Sequence, residues 1–196
     1  MNFFSKSRQW MIFQWKNKKF RIFLLANFLL ALLLSVENMV LFSVGVTKMI
    51  RYLTLLAGVA VIACIDKKSK RIPNEILLVL VYIRIILFVV ECICYTSYAL
   101  AMLISILLGG VLGGGLFFIC YLITKGGVGM GDVKLFLVVG FYLGSRGIMA
   151  VILTTVFSSA IYSIVQLIRK KAKLKDEIAF APFVWIGLVL AMALGI

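Results

Sequence analysis

The stretch from Gly126 to Ser145 reads Gly-Gly-Val-Gly-Met-Gly-Asp-Val-Lys-Leu-Phe-Leu-Val-Val-Gly-Phe-Tyr-Leu-Gly-Ser, with one acid, Asp132, at the mouth of an apolar run. A helix confined to 133–145 rises only about 20 Å. The hydrocarbon core of a bilayer is about 30 Å thick. Completing a span here therefore draws Gly129–Asp132 to membrane depth. A carboxylate at that depth costs about 2.5–3.5 kcal/mol on insertion scales, so it is usually paired or functional. Irregular glycine backbone is tolerated there only inside protein or beside a wet cavity.

The rest of the chain agrees with a membrane setting. Of its 196 residues, 64% are apolar and 14% charged, against roughly 45–50% and 25% in soluble domains. Apolar runs fall at about 22–46, 49–65, 75–94, 97–123, 128–145, 147–168 and 179–196. The predicted fold is all-α, one compact polytopic bundle of about seven transmembrane helices. The first run lacks a small-x-small cleavage site and is read as a retained anchor rather than a leader. Cys64, Cys92, Cys94 and Cys120 lie in apolar runs without a CxxC pair, so buried packing is expected.

Of the 21 lysines and arginines, all but Lys48, Arg51, Arg84 and Arg146 fall in the amino-terminal tail or in alternate loops. Cations mark the cytoplasmic side, which predicts the amino terminus inside and the carboxyl terminus outside. That distribution accounts for the +14 formal charge through topology and anionic lipid, with no nucleic acid partner. The tail interleaves Trp10, Ile12, Phe13, Trp15 and Phe20 with cations and suits the headgroup region.

No histidine is present, which removes Ser-His-Asp and Cys-His catalysis, imidazole acid–base chemistry and His-ligated metals. Seven acids remain. Asp176 and Glu177 follow a lysine-rich loop as solvated counter-charges. Glu37 and Glu91 fall toward the outer side, far apart in sequence, and a cation such as Arg84 is a weak candidate partner for Glu91. Asp66 ends one apolar run and opens Asp-Lys-Lys-Ser-Lys-Arg-Ile-Pro-Asn, residues 66–74, where Pro73-Asn74 marks a turn and a new helix start. Alone, Asp66 reads as a solvated cap. Topology changes that reading: Asp66 closes an inward-going helix and Asp132 opens an outward-going one. Both acids are thus predicted on the cytoplasmic side at similar depth. Two carboxylates in close contact share one proton. One can then take a proton from water while the other donates to a substrate carbonyl, a route to peptide hydrolysis without histidine or metal.

These residues resemble the type IV prepilin peptidases. The carriers are Asp66 with Ile72-Pro73-Asn74, then Gly129-Met130-Gly131-Asp132-Val133-Lys134-Leu135, then Ala179-Phe180-Ala181-Pro182-Phe183. The last is similar to a Pro-Phe-Gly-Pro-Phe element of that family. The resemblance covers about 49–196 and implies a six-helix core; the interfacial tail over 1–21 and the extra helix over 22–48 fall outside it. It implies cleavage of leaders from prepilin- or pseudopilin-like substrates at the cytoplasmic membrane face, with Asp66 and Asp132 catalytic and no cofactor or metal. Gly129 and Gly131 then permit close backbone approach. Lys134 adjusts local charge or meets lipid phosphate, and Pro182 shapes the final helix or merely starts it. Alanines at 179 and 181 depart from the family element and imply altered substrate fit. Without a paired-cysteine cytoplasmic domain, methyl transfer is not expected. The oligomeric state is left open.

Two further classes compete: a proton- or ion-coupled transporter using the same acids, and a non-catalytic scaffold for pilus or secretion assembly. The presenilin group shares Gly-x-Gly-Asp, but Ile65-Asp66 and Ala181-Pro182-Phe183 fit it less well. The run Gly109-Gly110-Val111-Leu112-Gly113-Gly114-Gly115 carries two small-xxx-small spacings, read as close helix packing rather than a phosphate loop.

Overall fold

The computed structural model describes residues 18–41, 45–125, 127–169 and 178–195. Every regular element among them is helical: α1 (Lys18–Leu41), α2 (Val46–Ser69), α3 (Asn74–Cys94), a 3-10 turn (Thr96–Tyr98), α4 (Ala99–Ile123), α5 (Met130–Ile168) and α6 (Ala181–Ala193). The physical reason is the solvent. In lipid, each backbone N–H and C=O must be satisfied within the chain, and a helix does so locally. Apolar side chains such as Leu100, Val111, Ile123 and Phe157 accordingly point outward.

Four helices are long and apolar enough to cross a membrane: α2, α3, Thr96–Ile123 and α5. The apolar part of α1, Leu25–Leu41, and the 13-residue α6 are shorter. The 39 residues of α5 are not one rod, because Gly144 breaks them with φ 70° and ψ −175°. That conformation is nearly exclusive to glycine. A methyl placed on Gly113 of α4 would touch both the Phe136 carbonyl and the Ile148 side chain. Twelve residues of straight helix would hold those two about 18 Å apart. The arms 130–143 and 145–168 therefore fold back on one another, which supplies two of the seven apolar runs from one continuous helical stretch.

α4 and α5 share the most extensive interface in the bundle, and glycine is the cause. A methyl on Gly109 would run into the Gly140 carbonyl, and one on Gly140 into the Gly109 carbonyl. Gly110 and Gly114 lie against the Phe141 and Leu137 side chains. The 109/113 spacing thus meets backbone and the 110/114 spacing meets side chains, the close helix packing that was expected. Gly109→Ala should lower stability by about 1–3 kcal/mol, since a carbonyl cannot swing aside. Gly115, with nothing nearer than Val111 at 4.0 Å, should accept alanine at no cost. Thermal unfolding of both variants in one detergent checks the contrast.

The core runs through Leu55, Val59 and Ile62 of α2, Phe136, Val139 and Tyr142 of α5, and Val184 of α6. α1 docks on α6: the Asn38 amide donates to the Met192 carbonyl at 2.8 Å, and the Phe23 and Trp185 rings lie 6.3 Å apart. At the end of α2 far from Asp66, Glu91 of α3 accepts from Arg84 at 3.0 Å and pairs with Arg51 at 3.2 Å. Arg84 also donates from Nε to the Phe141 carbonyl at 2.8 Å. This buried ion cluster ties α2, α3 and α5 together and bears out the Glu91–Arg84 pairing, with Arg51 added. The cysteine expectation also needs correction. Cys64, Cys92 and Cys120 are half-buried and Cys94 is exposed, all as free thiols. In so thin a bundle, an apolar helix position is as readily lipid-facing as buried.

Candidate functional site

Asp66 sits one turn before the end of α2, 5% exposed although charged neighbours follow it. Its backbone carbonyl accepts the Lys70 N–H at 2.8 Å, and Lys70 ends the helix in the left-handed region with φ 50°. That bend turns the chain through Arg71 and Ile72 into Pro73, the N-cap of α3, with Asn74 its first helical residue. The predicted turn and helix start are therefore present.

The second acid departs from expectation in one respect. Gly129 alone is extended, with φ −68° and ψ 137°, and the helix begins at Met130. Asp132 thus lies in the first turn of α5, not in irregular backbone, and its N–H donates to the Gly129 carbonyl at 3.0 Å. The glycines have distinct reasons. A Cβ on Gly129 would lie 3.1 Å from Asp132 Oδ2, crowding the carboxylate. A Cβ on Gly131 would lie 3.1 Å from Ile72 Cβ, pressing on the turn that follows Asp66. Neither glycine has positive φ, so close approach and not backbone freedom is what their small size allows.

These contacts bring the two sequence elements together. Ile72 packs against Gly131, and Lys134 donates from Nζ to Asn74 Oδ1 at 3.2 Å. Lys134 thus has a protein partner that neither sequence reading gave it. Asp66 and Asp132 come close enough for the charge of one to act on the other. The third element arrives from α6, where Phe180 is the N-cap but makes no side-chain capping bond. Instead, the Ala181 N–H donates across the bundle to Asp66 Oδ2 at 3.0 Å. Pro182 occupies the first turn of α6 and reaches the site through that neighbour. Phe180 packs near Phe117 and Phe136, at centroid distances of 5.8 and 5.9 Å. The Ala181 amide was invisible in the sequence, since a main-chain donor carries no residue code.

Among the described residues, no three Cys, Asp or Glu side chains gather into a metal-binding cluster. The cations at 170–175, Asp176, Glu177 and the tail residues 1–17 lie outside the described residues.

Fold and site define a multi-pass helical membrane protein with two neighbouring acids on different helices at one end of the bundle. The chain belongs to the type IV leader peptidase family, whose sequence profile matches residues 53–164 and so includes both acids. It is also similar to a prepilin leader peptidase/N-methyltransferase of Bacillus subtilis (strain 168), 37% identical over 73 residues. That match covers 37% of this chain and 29% of the relative. No solved structure matches.

Proposed function

We propose that the protein is a membrane aspartic endopeptidase that removes the leader from prepilin- or pseudopilin-like substrates. The observation that carries this reading is the packing of the Asp132 helix start on the turn after Asp66, through Gly131 against Ile72 and Lys134 against Asn74, inside a chain of the leader peptidase family. One carboxylate takes a proton from a water molecule as its oxygen attacks the scissile carbonyl carbon. The other, protonated, donates to the carbonyl oxygen. Collapse of the tetrahedral adduct breaks the C–N bond, and the amine leaves with a proton from the pair. The dyad acts as a unit, so its two protonation steps belong to both acids together.

The site opens on the cytoplasmic side in this reading, with the amino terminus inside and the carboxyl terminus outside. Support comes from Lys67, Lys68, Lys70 and Arg71, which follow Asp66 directly and mark a cytoplasmic loop. In this reading the peptidase core begins with α2 at Val46 rather than at 49, the added helix is α1 (Lys18–Leu41) rather than 22–48, braced on α6 through Asn38, and the chain before it is an interfacial tail. The reading is confined to hydrolysis, without methyl transfer, as the four cysteines include no CxxC pair.

Co-expression with a candidate prepilin tests it. The expected product is a prepilin shortened at its leader junction, with a new unmethylated amino terminus seen by intact-mass spectrometry. Full-length prepilin in cells that contain correctly inserted protein would exclude the peptidase reading.

A further inference from the structure

Asp66 has two carboxylate oxygens, and one of them is already engaged. Oδ2 accepts the Ala181 N–H at 3.0 Å, across 115 residues of sequence. Ala181 is the first residue of α6, so its N–H has no acceptor within that helix. The N-cap, Phe180, offers no side-chain oxygen to the first turn. Asp66 therefore caps α6 from another helix, and α6 in turn fixes the carboxylate of Asp66. The Ala181 side chain is fully buried, but its methyl is not what touches the acid. The contribution comes from the main chain.

We infer that the Ala181 main-chain N–H is a positioning group for Asp66, fixing Oδ2 and with it the orientation of the carboxylate toward the reacting water. The inference rests on the peptidase reading and assigns a physical task to the Ala179–Phe183 element. Orientation of this kind is a large part of catalysis, because about 1 Å of misplacement can cost 10²-fold in rate. An amide is common to alanine and glycine, so the alanine at 181 retains the donor whatever it does to substrate fit. The groups facing Asp66 are the Ala181 and Phe180 main chain from α6 and the Asp132 carboxylate from α5. Loss of the Ala181 N–H leaves the Asp66 carboxylate with the Phe180 main-chain contact alone and less firmly oriented.

The test deletes one N–H, leaves every side chain in place, and makes the Phe180 carbonyl, which accepts from Phe183 and Val184, a weaker ester acceptor. Ala181→lactic acid, introduced by cell-free translation into lipid nanodiscs, replaces the 180–181 amide by an ester. The expected result is a kcat about 10-fold to 100-fold lower with KM unchanged. Phe183→phenyllactic acid serves as control. It removes the N–H that bonds the Phe180 carbonyl at 3.0 Å, so it weakens the same helix start without touching Asp66. It should cleave like the parent. Parental kcat in the 181 ester overturns the inference, as does an equal loss in the 183 ester. A parent protein that cleaves no prepilin overturns the peptidase reading itself, a result distinguishable from a working parent with an unaffected 181 ester.

Discussion

Asparagine at position 66 or at position 132 is expected to abolish leader cleavage while the protein remains folded in the membrane. Either change leaves one carboxylate where the reaction needs two, one to accept a proton from water and one to deliver it. General acid–base assistance contributes about 10²–10⁴-fold per group, so each variant should lose at least about 10²-fold in kcat. The fold should survive for reasons visible at the site. Asparagine has nearly the shape of aspartate, and its carbonyl oxygen can still accept the Ala181 N–H that now reaches Oδ2. Two neighbouring acids also repel when both are charged, and removing one charge relieves that cost. Thermal midpoints of the variants should therefore equal or exceed that of the parent. Cleavage is read by mass spectrometry on purified protein, with stability measured on the same samples. Retained turnover in either variant would sink the two-acid mechanism. The parent should show a bell-shaped dependence of kcat/KM on pH, as an acid–base pair requires.

What the sequence discloses, and what it withholds, follows from the range of the interactions. Asp66 and Asp132 stand out because an acid beside an apolar run is costly wherever the chain folds. The turn at Ile72-Pro73-Asn74 is equally local, and so is the need for glycine between 109 and 115. Their partners are not local. Nothing near Gly109 points to Gly140, and nothing near Asp66 points to an amide 115 residues away. Gly144 illustrates an intermediate case: the apolar runs on either side are legible, whereas the reversal at a single positive-φ residue is not. Lys134 was read through charge and lipid, and its bond to Asn74 emerges only when two helix starts are set side by side.

The ion cluster at the other end of α2, of which the sequence offers only the Glu91–Arg84 pairing, carries the second large expectation. Glu91 is the only acid of a three-member group, shared between Arg84 at 3.0 Å and Arg51 at 3.2 Å. The Arg84 and Glu91 side chains are each 4% exposed and that of Arg51 is 18% exposed. The three formal charges sum to +1. Glu91→Gln raises this to +2, leaving the buried Arg84 guanidinium and the partly exposed Arg51 one without their shared counter-ion. Breaking a buried pair from one side costs about 3–5 kcal/mol, and repulsion between the two arginines adds to that. Arg84→Met instead lowers the sum to zero and leaves the Arg51–Glu91 pair intact, but removes the Nε–H that Arg84 donates to the Phe141 carbonyl. Arg51→Met keeps the better buried pair and removes only the more exposed cation. The expected order of destabilisation is thus Glu91→Gln, then Arg84→Met, then Arg51→Met. A simple count of lost ion pairs gives a different result, since Arg84→Met and Arg51→Met each remove one and would rank together. Thermal unfolding of the three variants in one detergent decides between the two accounts. An Arg51→Met variant less stable than Glu91→Gln would show that charge balance does not govern this end of the bundle. The Asp pair lies about 22 Å away along α2, the rise of the 15 residues from Arg51 to Asp66. The fraction of Glu91→Gln that stays folded should therefore cleave at the parental kcat.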